Sequence, residues 1–305
     1  MKPAVAAPAL RFGSLIHKAM ELRYPPGVRR GPHPALTFEK LYEEEMIEQS
    51  RMGFRDDDGK WEDAGEVGIA MLNNFVDNYG KDDKYKVLAS EQSFQVEIMR
   101  NKKKGIRLVY VGVFDGVWQD RESGKLMLTD WKTCASISTG HLTLDEQAGS
   151  YWAFGPEWMK QEGLLKDAQL NNLKGILYTF MRKAKPDERA KDAAGLSLNK
   201  DGSISKNQPA PYFHREFVYR GEEDARRLRA RVLDEAREME LVRLGKLGVY
   251  INPSPMNCAW CGYRDMCELQ ESGGDWEAFR DAAMVKWDPY MEHSEFTQSE
   301  LAEQG

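Results

Sequence analysis

The chain changes its hydrophobic rhythm four times. In its first quarter apolar residues recur every three or four positions. Phe12, Leu15, Ile16, Ala19, Met20 and Leu22 form one stripe, which predicts a helix over 12–24 that the prolines at 25 and 26 end. Further helices are predicted over 36–52 and 61–79. From Tyr85 the period becomes two, predicting strands over 87–99, 106–118 and 125–132. The last two of these are joined by a short hairpin turn at 119–124. Helical rhythm returns over 143–165, where Thr143-Leu-Asp-Glu146 reads as a capping box. Strands are predicted over 173–182 and 212–219 around a long polar loop, then a charged helix over 221–245 with acids and arginines at i,i+4. Residues 1–10 read as a linker or a cut end. The order is helices, antiparallel strands, helix, strand, strand, helix. It predicts an α+β or mixed α/β fold: one central sheet flanked by helices in a single domain over 1–270. Within it, 253–270 is a cysteine-bearing segment, and 271–305 is a tail.

The stretch LMLTDWKT, 126–133, is where this pattern acquires chemistry. Alternate strand residues share a face, so Leu126, Leu128, Asp130 and Lys132 form one row, apolar at one end and ionised at the other. The preceding strand repeats the design with Val109, Val111, Val113 and Asp115. A turn centred on Arg121 and Glu122 would set 113 opposite 130 and 115 opposite 128. The two carboxylates would then lie diagonally, roughly 7–8 Å apart at the backbone. Two such acids repel each other and call for a hard divalent cation, Mg²⁺ or Mn²⁺. Lys132 would stand beside it, placed to orient a water or to stabilise charge on a phosphate. An isolated D-x-K is more often a strand end in solvent, so the reading depends on partners elsewhere in the chain.

Composition narrows the class. The chain has 305 residues, 41% hydrophobic and 30% charged, which suits a soluble globular protein. No apolar run reaches the roughly 18 residues of a membrane span, and the start lacks a secretory signal, so the expected location is the cytoplasm. A net charge of −6 counts against a broad basic nucleic-acid surface and leaves room for a narrow one. No Walker-type Gly-rich loop is present, so the chain carries no helicase motor of its own. Of four cysteines, Cys258, Cys261 and Cys267 lie close together and Cys134 stands apart. The trio reads as metal or iron–sulfur ligation rather than a disulfide framework.

GVFD, fourteen intervening residues and DWK together resemble the PD-(D/E)XK nuclease superfamily. More narrowly they resemble its RecB-like branch, which includes the nuclease domains of RecB and AddB and the small nuclease of CRISPR spacer acquisition. Gly13 and His17 match that branch's histidine helix, Gln147 and Tyr151 its Gln-x-x-x-Tyr helix, and Cys258-x2-Cys261-x5-Cys267 its C-terminal cysteines. The resemblance implies a restriction-endonuclease-like core and a Mg²⁺- or Mn²⁺-dependent DNA nuclease. It implies an exonuclease of single strands or DNA ends in repair or recombination, as in phage RecB-like enzymes, with a helicase or recombination partner. It assigns His17, Asp115, Asp130 and the Trp131 carbonyl to the metal, Lys132 to the attacking water, and Gln147 and Tyr151 to positioning lysine and DNA. It assigns Cys258, Cys261 and Cys267 to a [4Fe–4S] cluster. The family's fourth cysteine precedes the histidine helix. None does so here, so either the chain starts after it or Cys134 takes its place. Glu91 is a secondary acid candidate, and the basic groups at 100–107 and 182–185 are candidate phosphate contacts. Two other readings are a non-catalytic DNA-binding or scaffold protein of the same fold, and a zinc-ribbon interaction module.

Overall fold

Five strands in the order β2-β3-β4-β5-β6 form the centre of the molecule. They are β2 (Tyr85–Asn101), β3 (Ile106–Asp120), β4 (Leu126–Cys134), β5 (Leu173–Arg182) and β6 (Phe213–Tyr219). Every neighbouring pair is antiparallel except β4 and β5, which run parallel. A parallel pair needs a long crossover, and α4 (Glu146–Gln161) with the short α5 (Asp167–Leu170) supplies it. The structure, a computed structural model, describes residues 2–3, 8–56, 59–101, 106–259 and 261–287.

Each face of the sheet carries a core. On one side α4 packs Trp152, Ala153, Phe154 and Trp158 onto Phe94, Phe114, Leu128, Tyr178 and Phe180. On the other lie α1 (Pro8–Arg23), α2 (Pro34–Arg51) and α3 (Lys60–Tyr79). Their Phe12, Ile16, Phe38, Trp61 and Phe75 close over Trp118, Trp131, Leu177 and Met181. Covered on both faces, β5 is apolar almost throughout, as LKGILYTFMR shows. This is the mixed α/β architecture that the hydrophobic pattern predicts. The helix α6 (Glu222–Arg243) rests on α4, with Leu228 in the space a side chain at Gly149 would fill. The helices α7 (Pro255–Ala259), α8 (Arg264–Glu271) and α9 (Trp276–Ala283) follow.

Several boundaries differ from the sequence reading. Lys2–Pro3 is a short strand, β1, paired with β7 (Met284–Val285), and α1 begins at Pro8, so part of 1–10 is structured. Thr143 does not cap α4. It lies in a 3-10 turn, and Asp145 is the cap, its side chain accepting from Ala148 N at 3.2 Å. That helix ends at Gln161 rather than 165. The loop after β5 is folded on itself: bridges join Lys191 to Ser197 and Leu198 to Ile204, and Asp187 binds both Arg189 and Ser197. The basic turn 102–105 and the tail beyond 287 lie outside the described residues.

One buried ion pair ties the α1–α3 layer to the sheet's edge. Arg215 of β6 meets Asp82, before β2, through two hydrogen bonds of 2.9 and 2.5 Å, with the guanidinium 3.9 Å from the Tyr79 ring centre. Tyr24, at the end of α1, donates to the same Asp82. Asp82 has φ +49°, a conformation asparagine also tolerates. Asp82→Asn is therefore expected to act without backbone strain, by removing the charge and by turning one of the two accepting oxygens into a donor. Leaving Arg215 buried without its partner should cost on the order of 3 kcal/mol, read as a lower urea midpoint at unchanged m-value.

Candidate active site

The site forms where the sheet divides. The β3–β4 ladder runs from Gln119↔Leu126 to Gly116↔Thr129 and stops. Beyond it β3 stays with β2, and β4 stays with β5. The next amide of β4 is taken by a side chain: Trp131 N donates to Asp115 Oδ2 at 2.6 Å. Continuing the ladder puts 115 opposite 130, a register two residues from the expected one. The turn explains the shift. Asp120 Oδ1 accepts from Glu122 N and Ser123 N, and Gly124 takes φ +70°, so the turn centres on Glu122 and Ser123. A two-residue shift keeps the alternation of faces and brings the two acids closer than the diagonal arrangement would.

The buried face of β3 is not the valine face. Gly112 and Phe114 are buried, and Tyr110 stacks on Phe154 of α4 at 4.7 Å. Val109, Val111 and Val113 are half-exposed, and Asp115 belongs to their alternation. Both faces of this strand carry apolar residues, so period two alone does not say which is covered. Gly112 is required on the buried face. A Cβ there would lie 2.8 Å from both the Tyr151 and the Phe94 rings.

Across β3 from Asp115, β2 also departs from regular geometry. The pairs Ser90↔Gly116 and Gln92↔Phe114 flank an unpaired Glu91 with φ +41°. A left-handed glutamate inside a strand is strained, and such strain collects at functional sites. The turn in the backbone brings Glu91 to His17 and Asp115, with one ligand atom from each all within 4.8 Å of one another. His17 reaches the same point from α1. Its Nδ1 lies 3.2 Å from Asp115 Oδ1, and its Nε2 donates to Trp131 O at 3.0 Å. Asp130 is buried beside this group, and Lys132 Nζ is 3.0 Å from Asp130 Oδ2. On α4, Gln147 Nε2 donates to the Tyr151 hydroxyl at 3.0 Å.

Charge and burial oppose each other here. Loss of solvent, then the nearby Asp115 charge, push the Glu91 carboxyl up to about 7. The same two causes raise Asp130, against the pull of Lys132. Burial would lower His17, yet its bond to Asp115 and the charges of Asp115, Glu91 and Asp130 outweigh it and lift the imidazole to about 9. Lys132 is likewise raised: burial works against it, and Asp130 prevails. Two carboxylates and an imidazole at one point, with protons held where a cation would relieve the repulsion, fit a divalent metal ion.

The structure thus brings together His17, Asp115, Asp130, Trp131 and Lys132, with Gln147 and Tyr151 behind them. Glu91, secondary in the sequence, joins the central trio. Asp145, the cap of α4, acts by its charge on both Asp130 and Lys132, and a capping-box pattern centred on Thr143 hides it. Cys134 stays apart, its Sγ 3.9 Å from the Met181 carbonyl. Cys258, Cys261 and Cys267 line one open pocket of about 1170 Å³. Among the described residues, His17, Glu91 and Asp115 form the only group of such side chains gathered closely enough for a single ion, and the cysteines do not make a second.

The chain matches the PD-(D/E)XK nuclease superfamily over residues 2–268. That span takes in both core layers, the divided sheet and the cysteine segment, and the chain belongs to this superfamily. Comparison with curated proteins gives no match. No described helix is long and apolar enough to cross a membrane.

The raised Glu91 has a measurable consequence. Between its ordinary value of 4.5 and about 7 the folded state binds more protons than the unfolded state. Stability therefore falls as pH rises through that window. In metal-free protein, Glu91→Gln is expected to raise the melting temperature by a few degrees above pH ~7 and to leave it unchanged below pH ~4. Thermal unfolding in EDTA across that range checks it.

Proposed function

We propose that this chain is a Mg²⁺- or Mn²⁺-dependent deoxyribonuclease of the RecB-like branch, acting as an exonuclease on single strands or DNA ends. The observation that carries the reading is the Asp130–Lys132 pair set against His17, Glu91 and Asp115 at the division of the sheet. His17, Glu91 and Asp115 would hold the metal, with Asp130 and the Trp131 carbonyl at its margin. When bound, the ion supplies charge stabilisation for in-line displacement at a phosphodiester. His17 spans Asp115 and the Trp131 carbonyl, so it must lose a proton before either nitrogen can serve as a ligand. Lys132, held by Asp130, orients the attacking water and faces the charge that develops on the phosphate. Tyr151, fixed by Gln147 and by its close fit over Gly112, backs the site against the strand. No covalent enzyme intermediate is needed. Repair or recombination beside a helicase is the setting the resemblance suggests.

The test is hydrolysis of end-labelled single- and double-stranded DNA with Mg²⁺, Mn²⁺ or EDTA. Lys132→Ala and Asp130→Ala are expected to lower turnover about 10²–10⁴-fold with the fold retained, and EDTA to abolish it. Cleavage surviving either substitution or EDTA would sink the mechanism.

The cysteine segment enters this reading as a separate staple. Its iron–sulfur assignment rests on spacing: a cubane cluster takes four thiolates on four different irons, and three cysteines lie within ten residues of sequence here. Metal analysis of anaerobically purified protein separates the alternatives. Brown protein with iron and sulfide supports the cluster, whereas colourless protein with neither iron nor zinc supports the thiols as the structure places them.

A further inference from the structure

Three cavities stand out, and they differ in charge. The groove of about 690 Å³ between the β2–β3 hairpin and α6 sets Glu146, Glu235 and Glu240 against Arg231 and Arg243 in its walls. The cysteine pocket has Glu268 and Glu271 with Arg264. The third, about 340 Å³, has Arg182 and His214 and no carboxylate in its lining. In a chain of net charge −6 that is the cavity fitted to an anion. Ala135, Ser136, Ile137 and Thr139, the residues that follow β4, form its other wall.

Its place in the sheet ties it to the catalytic row. Lys132 pairs with Phe180, and Phe180 with His214. Asp130 pairs with Tyr178, and Tyr178 with Glu216. Residues opposite one another across strands share a face, so two rows run from the D-x-K to the edge strand. His214 lies two strand spacings from Lys132, about 10 Å. The rings of Tyr178 and Phe180, stacked at 6.4 Å, fill the space between, and the His214 ring continues the row 6.5 Å from Phe180. His214 Nε2 is held by Glu216 at 2.9 Å.

Arg182 is set in place before any ligand arrives. Its Nε and Nη2 donate to the Pro211 and Ala210 carbonyls at 3.1 and 2.9 Å, and its guanidinium lies 4.5 Å from the Tyr212 ring centre. A planar, braced guanidinium is suited to phosphate. Ligand pockets run from roughly 300 to 1,000 Å³, and this one sits at the small end, the size for one nucleotide rather than a duplex.

We propose that this pocket seats the terminal nucleotide of a DNA strand whose adjoining phosphodiester lies at Lys132, with Arg182 and His214 meeting the terminal phosphate. The pocket thereby selects strand ends. This rests on the nuclease reading of the site, and the experiment separates the two. Binding is measured in EDTA, without cleavage, by polarisation of an internally labelled oligonucleotide. It is presented as a linear strand with a 5′ phosphate, as a linear strand with a 3′ phosphate, and as a closed circle of the same sequence. Wild type is expected to bind one linear form about tenfold or more tighter than the circle. Arg182→Gln should remove that preference and leave the circle unchanged. Arg182 also braces 210–211, so Ser136→Trp, on the exposed lip, serves as a second variant that fills the pocket without touching the brace. It should give the same result. Equal binding of lines and circle by wild type, an end preference that survives both variants, or equal weakening of both DNA forms would each overturn the proposal. If wild type fails to cleave DNA in metal, the nuclease reading falls, and the contrast between line and circle still decides the pocket.

Discussion

One hydrogen bond from a backbone amide to a carboxylate divides the sheet. While Asp115 holds the Trp131 amide, β4 cannot continue its ladder with β3, and a cleft opens between the β2–β3 hairpin and the β4–β5 pair. Strands ordinarily leave no such gap, because unpaired amides are costly once buried. Here the side chain satisfies the amide in the ladder's place. The second irregularity follows from the first. Glu91, facing Asp115 across the hairpin, leaves its own ladder and adopts a left-handed backbone. Strain of roughly 1–3 kcal/mol at such a residue persists only where the surroundings fix it. They do so on both sides. Trp131 is held among Tyr24, Phe75 and Trp118, and Phe94 and Phe114 are pinned beneath Trp158.

The cleft gathers three carboxyls and two bases into two unequal groups. Asp130 has Lys132 as a direct partner. Glu91 and Asp115 have the His17 imidazole, which stands between Asp115 and the Trp131 carbonyl much as a cation would. An imidazole in that position neutralises one charge where two carboxyls meet. Burial first, and then the remaining repulsion from Asp115, show in the proton that Glu91 keeps to about 7. A divalent ion would neutralise both acids and release that proton. Asp130 is raised as well, by burial and by Asp115, although Lys132 stands against it, so the cation beside it offsets only part of the cost of its charge.

How much of this the sequence revealed depends on the kind of signal. Helical stripes and the strand LMLTDWKT were legible because burial on one or both faces leaves a periodic record. The convergence of Asp115 and Asp130 was legible too, although the register was two residues off. An even shift preserves the faces, and the Asp120 side chain that moves the turn gives no periodic signal. The covered face of β3 was not legible, since Val109, Val111 and Val113 look as apolar as Tyr110, Gly112 and Phe114. Glu91 could be suspected from its charge, but a backbone reversal inside a strand leaves no mark in composition. The cysteines leave a signal in sequence alone: Cys258, Cys261 and Cys267 lie within ten residues, and among the described residues their thiols do not gather around the position of a single ion. His214 and Glu216 had no motif at all. They matter through pairing with β5, and cross-strand pairing over such a sequence distance cannot be read from the chain.

The parallel β4–β5 pair gives the cleft two unlike ends. Parallel strands bring their C-terminal ends to the same edge, so the segment after Lys132 and the segment after Phe180 emerge side by side. Lys183 N bonds to the Cys134 carbonyl, and Arg182 N to the Tyr212 carbonyl, which joins the two exits and the start of β6 into one rim. Residues 135–139 and 210–211 stand on that rim. On the other side of Asp130 the sheet is divided, and nothing from the ladder crosses the gap. A strand of nucleic acid laid along the site would meet an open fork in one direction and a small, acid-free pocket in the other. Cleavage chemistry is indifferent to where along a strand it acts. It is this asymmetry, set by one parallel pairing and one interrupted antiparallel pairing, that would direct it to an end.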